Sequence, residues 1–467
     1  MPTRLIYINP ADSVTIYVKD AYKDPAVRIP YAALSYCWGD AALNRLKTTQ
    51  DSLSAHQQGI DCSQLPKTIR DAVETTRALG LEYLWVDSLC IVQDDDEDKE
   101  REIAKMSQIY EGATVTISAA RATHCDEGFL HERNLAKIYG DVYELPWRGG
   151  NEDDRGHRSV FCCNGDIRRC ETEPIDSRAW TMQEHFLSKR LLRFGTSQLV
   201  WECREGVEVD GGSNDIDPPD EVSVGIGQVL KDWRQDVARY TARNISNPED
   251  RLPAIAAIAE TYEKRLKSTP RRYAAGLWEE LLPFTLLWYI APRTKQKTTC
   301  PGLPDGADVS PTWSWHLAPS GVKFADVLTS PHSRLDGLEI EECNVTLATA
   351  LEYGRVVGGS LVVRGFLQEV YWTGNSFMRT SPGDSDSIAS IRTFWDSQTE
   401  PVCGQTFCCL EVISEGCMYG LILKATDEET RFRRVGYFSS QPPKWIDLPD
   451  EVTKWLRQSD RRRITLI

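Results

Sequence analysis

The sequence predicts an α/β protein in which a parallel-sheet domain precedes a helical region and a β-rich C-terminal domain. Short apolar strands alternate with amphipathic helices between residues 30 and 120. Helical periodicity dominates residues 228–290, and β-type patterns begin near residue 320. Alternating strands and helices favour a parallel sheet with right-handed crossovers. The predicted domains are 1–205, 206–320 and 321–467.

The elements of the first domain follow from periodicity and helix-end signals. Residues 65–79 are predicted as a helix, with Pro66 in its first turn and Gly80 closing it. A second helix is predicted over residues 100–110, after an acidic loop at residues 94–98. A third covers the Arg178–Glu184 motif. Predicted strands are two pieces within residues 1–30, then 32–36, 83–86, 113–119, 190–194 and 198–203.

The remainder of the chain is predicted from the same signals. Residues 205–224 are acidic and rich in Gly and Pro, which indicates a loop or linker. The predicted helices are 229–244, 250–268 and 273–282. The predicted strands are 345–351, 360–370, 407–413, 419–423 and 463–467.

Composition limits the function. The net charge of −15 argues against binding to nucleic acid or to an anionic membrane surface. No apolar run reaches the roughly 18 residues of a membrane span, and no signal peptide is expected. The 14 cysteines are therefore expected to be reduced thiols in a cytoplasmic protein.

The most informative stretch is Ser177–Glu184, with the sequence SRAWTMQE. Trp180 and Glu184 are four residues apart, so a helix would bring both side chains to one face. An indole plane beside a carboxylate suits a site that stacks a flat ring and stabilises positive charge.

Three segments carry a family resemblance: Tyr31–Gly39 (YAALSYCWG), Tyr83–Gln93 (YLWVDSLCIVQ) and Arg178–Glu184 (RAWTMQE). In order, content and spacing they resemble the fungal heterokaryon incompatibility (HET) domain, over roughly residues 30–205. A weaker resemblance to the flank that often follows this domain continues through YAAGLW, LLW and PTWSWH at 273–278, 286–288 and 311–316. The resemblance implies a fungal origin, a role in non-self recognition and cell death, and a distant likeness to TIR domains. Some TIR domains cleave NAD, and TIR-like enzymes usually act as oligomers, so we expect a TIR-like fold and a homo-oligomer.

The same resemblance implies that Glu184 is catalytic. Ser177, Trp180 and Glu184 resemble the element that carries the catalytic glutamate of NAD-cleaving TIR domains, with one extra residue after the serine and Thr181 in place of a cysteine. Cleaving the nicotinamide–ribose bond creates an oxocarbenium-like centre that a carboxylate stabilises. On this hypothesis the carboxylate faces a solvated pocket. The alternative is a structural salt bridge with Arg178, Arg190 or Arg193.

Further ligand contacts are predicted where strands end, because ligands bind outside the carboxyl ends of strands in open α/β sheets. Asp87 and Ser88 follow the second strand of the predicted parallel sheet, and Asp87 is placed to hold a ribose hydroxyl or, alternatively, to cap a turn. Gln93 either binds in the same crevice or caps the next helix.

Residues at the end of the first strand of that sheet are predicted to line the crevice as well: Ser35, Tyr36, Trp38 and Gly39. Gly39 would let the backbone approach a phosphate. For the two aromatic residues the alternative is a core position.

No metal site or cofactor is predicted; NAD enters only as a possible substrate. Two clusters, His157 with Cys162, Cys163 and Cys170, and Cys403 with Cys408, Cys409 and Cys417, lack the paired spacing of zinc sites. Cys90 lies in an apolar setting that favours a buried thiol over a nucleophile.

The leading function is thus an incompatibility or cell-death protein that cleaves NAD. The alternatives are a non-enzymatic module that signals by self-association and an enzyme acting on a small biosynthetic metabolite.

Overall fold

A computed structural model divides the chain into two compact units, Met1–Glu221 and Val222–Ile467. It describes residues 1–12, 14–21, 29–39, 46–133, 142–147, 158–163, 172–210, 226–265, 272–290, 311–325, 337–349, 351–379, 391–397, 401–415, 417–440 and 451–467. The division into three domains at residues 205 and 320 stays a prediction.

The first unit is built on a mixed sheet of nine strands. The strands of this sheet are β1 (Arg4–Ile8), β2 (Thr15–Asp20), β3 (Ala32–Ser35), β4 (Ile60–Asp61), β5 (Tyr83–Trp85), β6 (Val115–Ser118), β9 (Arg190–Phe194), β10 (Leu199–Cys203) and β11 (Gly206–Val209). A separate hairpin is formed by β7 (Val142–Trp147) and β8 (Arg158–Cys163). The order across the sheet is β11-β10-β9-β6-β3-β5-β1-β2-β4. The prediction of a parallel sheet therefore holds for its central strands, while the outer strands pair antiparallel.

Among the described residues of this unit, six helices accompany the strands: α1 (Leu53–Gln58), α2 (Lys67–Ala78), α3 (Asp87–Cys90), α4 (Asp96–Ile103), α5 (Met106–Gly112) and α6 (Ala179–Leu187). The apolar face of α2 is buried, and Gly80 lies just beyond its end with a φ of 72°, as its end signal predicts. The crossovers through these helices keep β3, β5, β6 and β9 parallel.

The predicted acidic loop and the single helix after it are wrong. Asp95 caps α4 by accepting from the Asp98 amide, so the acidic run begins a helix, where carboxylates interact favourably with the helix dipole. Asp98 is buried because it pairs with both Arg4 and Arg101. The predicted helix is two helices, α4 and α5, which are separated by residues 104–105.

The order of the parallel strands creates a crevice. From β3 the chain moves to β5 on one side, and then crosses to β6 on the other side. The topological switch point, where successive connections leave β3 in opposite directions along the sheet, therefore lies between β3 and β6. The last residues of these two strands, Ser35 and Ser118, are register partners. In open α/β sheets this is where ligands bind.

The second unit contains helices α7 (Ile226–Thr241), α8 (Ala256–Arg265) and α9 (Glu451–Leu456). Its strands are β12 (Tyr273–Ala274), β13 (Leu277–Trp278), β14 (Trp288–Ile290), β15 (Val322–Phe324), β16 (Leu338–Leu347), β17 (Val356–Trp372), β18 (Phe377–Arg379), β19 (Ile391–Trp395), β20 (Thr406–Glu415), β21 (Cys417–Ala425), β22 (Arg431–Ser440) and β23 (Arg461–Leu466). An eight-stranded sheet runs β16-β17-β20-β21-β22-β19, with β18 and β23 joined to it. The predicted β-rich C-terminal part is thus confirmed, although its strands are longer than predicted.

The helix predicted at residues 273–282 is wrong, because the chain forms the β12–β13 hairpin and a short 3₁₀ turn there. Gly276, with a φ of 93°, occupies the turn, where an added Cβ would lie 2.7 Å from the Trp315 ring. Trp315 donates its indole N–H to the Gly276 carbonyl oxygen at 2.8 Å. Both tryptophans of PTWSWH are therefore core residues, and Trp315 packs on this hairpin.

Two other predictions fall partly on positions that the structure leaves undescribed. Residues 211–224 of the predicted linker and residues 266–268 of a predicted helix lie outside the described residues.

Among the described residues, none of the helices combines the length and apolar composition needed to cross a bilayer.

Candidate functional site

Helix α6 places Glu184 at the switch point of the sheet. The Ser35 hydroxyl donates to Glu184 Oε2 at 2.5 Å. The Tyr110 hydroxyl, which donates to the Leu34 carbonyl oxygen at 3.1 Å, lies near the same carboxylate and helps to lower its pKa. At the end of the helix, Ser188 Oγ donates to the Glu184 carbonyl oxygen at 2.7 Å and shares a hydrogen bond of 2.6 Å with the Thr116 hydroxyl of β6. These contacts fix the helix over the two strands that flank the crevice.

The Glu184 carboxylate is buried, with 7% of the residue exposed, so the expected solvated pocket is wrong. Burial raises the pKa of Glu184 from 4.5 to about 7, against the lowering effects of the Ser35 hydrogen bond and Arg178. The nearby charge of Asp87 raises this pKa further. In the described part of the chain Glu184 forms no salt bridge.

The salt-bridge alternative fails for each predicted arginine in a different way. Arg193 pairs with Asp176 at 2.6 Å, and the exposed Arg190 reaches the Thr114 carbonyl oxygen at 3.4 Å. Arg178 donates to the Tyr36 carbonyl oxygen and acts on Glu184 only through its charge.

Asp87 begins α3, directly after β5, and is partly buried. Its Oδ2 accepts from Trp38 Nε1 at 2.8 Å and its Oδ1 accepts from the Ser88 amide at 2.7 Å. Burial raises the pKa of Asp87, while Arg178 and these hydrogen bonds oppose the effect. Asp87 thus organises its own turn and also lies within electrostatic range of Glu184.

The other predicted residues surround this pair to different degrees. Tyr36 and Ser88 are buried and share a hydrogen bond of 3.0 Å between their hydroxyl oxygens. Trp38 and Trp180 are partly buried against the core of the first unit, and Gly39 is exposed with a φ of 86°.

Gln93 holds the loop after α3, because Nε2 donates to the Asp87 carbonyl oxygen at 3.0 Å. It does not cap α4, whose cap is Asp95. Ser177 is exposed and donates to the Pro174 carbonyl oxygen at 2.6 Å, so it lies outside the Glu184 contacts.

Four residues of the arrangement were not among the predicted site residues. Arg178 lowers the pKa of both carboxyl groups, and His185 Nε2 lies 3.2 Å from Ser35 Oγ. Tyr110 and Ser118 complete the set. The Ser118 hydroxyl is fully buried and has no hydrogen-bond partner among the described residues. The rule that ligands bind at strand ends would have identified Ser118, since its strand was predicted; nothing in the pattern distinguished Tyr110 from a core residue.

The arrangement carries two carboxyl groups and one guanidinium group. When both acids are ionised its net charge is −1, which favours a cation at the crevice. A carboxyl group with a pKa near neutrality is also suited to proton transfer.

Thiol chemistry is disfavoured at this site. Cys90 is fully buried, and burial raises its pKa to about 12. Within the described ranges no group of three or more metal-binding side chains is found. His157 and Cys170 lie outside those ranges.

A family model described as "Heterokaryon incompatibility protein (HET)" matches residues 31–184. The chain is also similar to heterokaryon incompatibility protein 6, OR allele, of Neurospora crassa, with 31% identity over 121 residues. That alignment covers 24% of this chain and 17% of the Neurospora protein. No solved structure matches the chain. The three sequence motifs and the match over residues 31–184 together show that this part of the chain is a heterokaryon incompatibility (HET) domain.

Proposed function

We propose that this protein hydrolyses the bond between nicotinamide and ribose in NAD, with Glu184 as the catalytic residue, as part of an incompatibility and cell-death role. The observation that carries the proposal is a buried carboxyl group with a pKa of about 7 at the switch point of a parallel sheet. Such a perturbed acid in a crevice is typical of functional sites. The incompatibility role is supported by the HET domain and the name of the Neurospora relative.

The chemistry requires stabilisation of a cation. The C1′–N bond breaks with its electron pair moving to the pyridinium nitrogen, so that nicotinamide leaves neutral and the ribose becomes oxocarbenium-like. Water then adds to C1′ and releases a proton, giving ADP-ribose. Ionised Glu184 would stabilise the positive charge as it moves onto the ribose, in a site from which water is largely excluded.

The neighbours of Glu184 have supporting parts in this proposal. Ser35 would orient the carboxylate through its hydrogen bond, and the nearby Tyr110 hydroxyl would line the same side of it. Asp87 would hold a ribose hydroxyl, and Trp38 and Trp180 would stack a flat ring from the partly exposed side.

Other residues of the same crevice would bind the remainder of the NAD molecule. Gly39 would admit a phosphate to the backbone. Tyr36, Ser88 and Gln93 would shape the crevice, as their hydrogen bonds to each other and to the Asp87 carbonyl oxygen suggest.

The test is nicotinamide release from NAD by wild type and by Glu184→Gln. Glutamine keeps the shape and can accept the Ser35 hydrogen bond, but it lacks the charge. Removing one preorganised electrostatic partner typically costs about 10²–10³ in rate. A Glu184→Gln protein that cleaves NAD at the wild-type rate would exclude Glu184 as the catalytic group.

Glu111→Gln is the matched control, because Glu111 is an exposed carboxylate of α5 that lies 3.7 Å from Lys189. It should retain the wild-type rate. The wild-type rate should also rise about tenfold per pH unit below the Glu184 pKa of about 7 and level off above it, since the ionised form is the active one.

The alternatives remain distinct in this assay. Wild-type protein that releases no nicotinamide would favour the self-associating module or the enzyme of a small metabolite. The likeness to TIR domains and homo-oligomerisation stay predictions.

A further inference from the structure

A cavity of about 520 Å³ opens at the carboxyl ends of β6 and β9 in the first unit. Its described lining residues include none of those that contact Glu184 or Asp87. Its volume lies within the range of about 300–1,000 Å³ that is usual for small-molecule sites.

The floor of the cavity is aromatic. Phe129 and Phe194 have ring centroids 4.6 Å apart, with their planes tilted by 48°. Phe129 is buried, whereas Leu130 on the rim is 39% exposed. An exposed leucine beside two phenylalanine rings gives the cavity an apolar surface that a flat ring would cover.

The rim is basic. Among the described lining residues Arg121, His131 and Arg133 are basic and Glu132 is acidic. Two acids behind this rim, Glu173 and Glu127, also act on the Arg121 charge. Arg121 donates to the His131 carbonyl oxygen at 3.2 Å and forms no salt bridge with any described residue. Arg133 pairs with Asp210, and both of these side chains are about one-third exposed, so that pair is weakened by solvent.

The two arginines act on each other. Burial lowers the pKa of Arg121, and the charge of Arg133 lowers it further. An anion bound between them would relieve this repulsion and accept hydrogen bonds from both guanidinium groups.

We propose that this cavity binds a small organic anion that joins a planar ring to one carboxylate or phosphate group. The ring lies on Phe194, which the buried Phe129 supports from behind, and beside the exposed Leu130. The anionic group meets Arg121 and Arg133. The site is independent of NAD cleavage at Glu184.

The test is isothermal titration calorimetry on the full chain with two pairs of probes. AMP is compared with adenosine, and indole-3-acetate with indole-3-acetamide. An anion of either pair should bind saturably at one site per chain, and its neutral twin at least about tenfold more weakly, because a charge-assisted hydrogen bond is worth about 1.5–3 kcal/mol. Binding by only one pair identifies the anionic group as phosphate or carboxylate.

Two variants locate the binding. Arg121→Gln should lower the affinity about tenfold or more, and Arg133→Gln, at a partly exposed position, should do the same without affecting folding. Arg70→Gln is the control, because Arg70 is exposed on α2 and its loss changes the net charge equally. Phe194→Leu keeps the apolar character of the position but removes one ring, so it should weaken the binding of both anions.

Three results would overturn the proposal: no saturable binding of either anion, equal affinity for the neutral twins, or equal weakening by Arg70→Gln. Glu184→Gln should bind the anions as wild type does. If Glu184→Gln abolishes AMP binding while Arg121→Gln leaves it intact, AMP occupies the NAD crevice and the cavity proposal fails without affecting the proposed function.

Discussion

Glu184 of the first unit and Arg434 of the second are both buried ionisable residues, yet their surroundings differ. Arg434 donates to Asp396 at 2.9 Å and to the carbonyl oxygens of Leu286 and Trp288 at 2.6 and 2.5 Å. Its guanidinium carbon also lies 3.4 Å from the centroid of the Trp288 ring. Glu184 has hydrogen bonds but no salt bridge among the described residues.

The difference separates a buried charge that is fully paired from a buried acid that has no counterion. A buried charge with a full set of partners holds the elements around it together. A buried acid without a counterion destabilises the fold when ionised, and its pKa rises instead, as it does at Glu184. Such a cost is expected where an acid serves chemistry rather than stability.

The largest effect should follow the loss of the Arg434 charge. Arg434→Met leaves Asp396 and two carbonyl oxygens buried without their donor, so the free energy of unfolding should fall by about 3–5 kcal/mol. Urea unfolding followed by fluorescence measures this change.

Arg463→Met is the control for that variant. Arg463 pairs with Glu341 at 2.6 Å in an exposed position, and removing it should cost at most about 1 kcal/mol. Equal costs for the two variants would remove the distinction between the buried pair and an exposed one.

Replacing Glu184 should change the free energy of unfolding in the opposite direction and stabilise the protein at neutral to alkaline pH. The folded-state pKa of Glu184, about 7, exceeds the ordinary value of 4.5. Between pH 4.5 and pH 7 the folded chain therefore keeps a proton on Glu184 that the unfolded chain has lost. Wild-type stability should therefore fall as pH rises through this window. Glu184→Gln should match wild type near pH 4 and be more stable by up to about 3 kcal/mol at pH 8.

Urea unfolding of both proteins across this pH range measures the difference. A variant that is less stable than wild type at pH 8 would mean that the ionised carboxylate stabilises the fold, contrary to the comparison with Arg434.

The smallest effects should distinguish two buried serines. Ser314 Oγ donates to the Ala275 carbonyl oxygen and accepts from the His316 amide at 3.2 Å, so Ser314→Ala should cost about 1–3 kcal/mol. Ser118 Oγ has no partner among the described residues, so Ser118→Ala should be neutral or stabilising by about 1 kcal/mol. Thermal melting of the two variants measures the contrast, and a clear loss of stability for Ser118→Ala would show that this hydroxyl is satisfied.

The sequence was most informative where short-range patterns decide the structure. The helix near residues 65–79 and the strands of the parallel sheet were predicted because their apolar periodicity matches their burial. The motifs also identified which strand ends carry polar residues. They placed Ser35 in the same crevice as Glu184 but could not identify Tyr110 as a neighbour that acts on the Glu184 pKa, because Tyr110 reaches it only through tertiary packing.

Errors arose where a tertiary contact overrides the local pattern. Residues 273–282 look helical, but the turn at Gly276 is held by the Trp315 indole, 39 residues away in sequence. The acidic run at 94–98 looks like a loop, but Arg4 and Arg101 neutralise Asp98 and allow α4 to form. In both cases one partner, Trp315 or Arg4, lies outside the window in which periodicity is read, whereas the Asp95 cap and Arg101 lie within it.

The hydrogen bond between Ser35 and Glu184 joins residues that are 149 positions apart in sequence. Closing so long a loop has an entropic cost that only the assembled sheet offsets. Before that contact forms, Glu184 is an ordinary solvated glutamate that is fully ionised at neutral pH. The raised pKa of Glu184 is therefore a property of the folded first unit. The proposed cleavage of NAD would accordingly be limited to molecules in which β3 and α6 have come together.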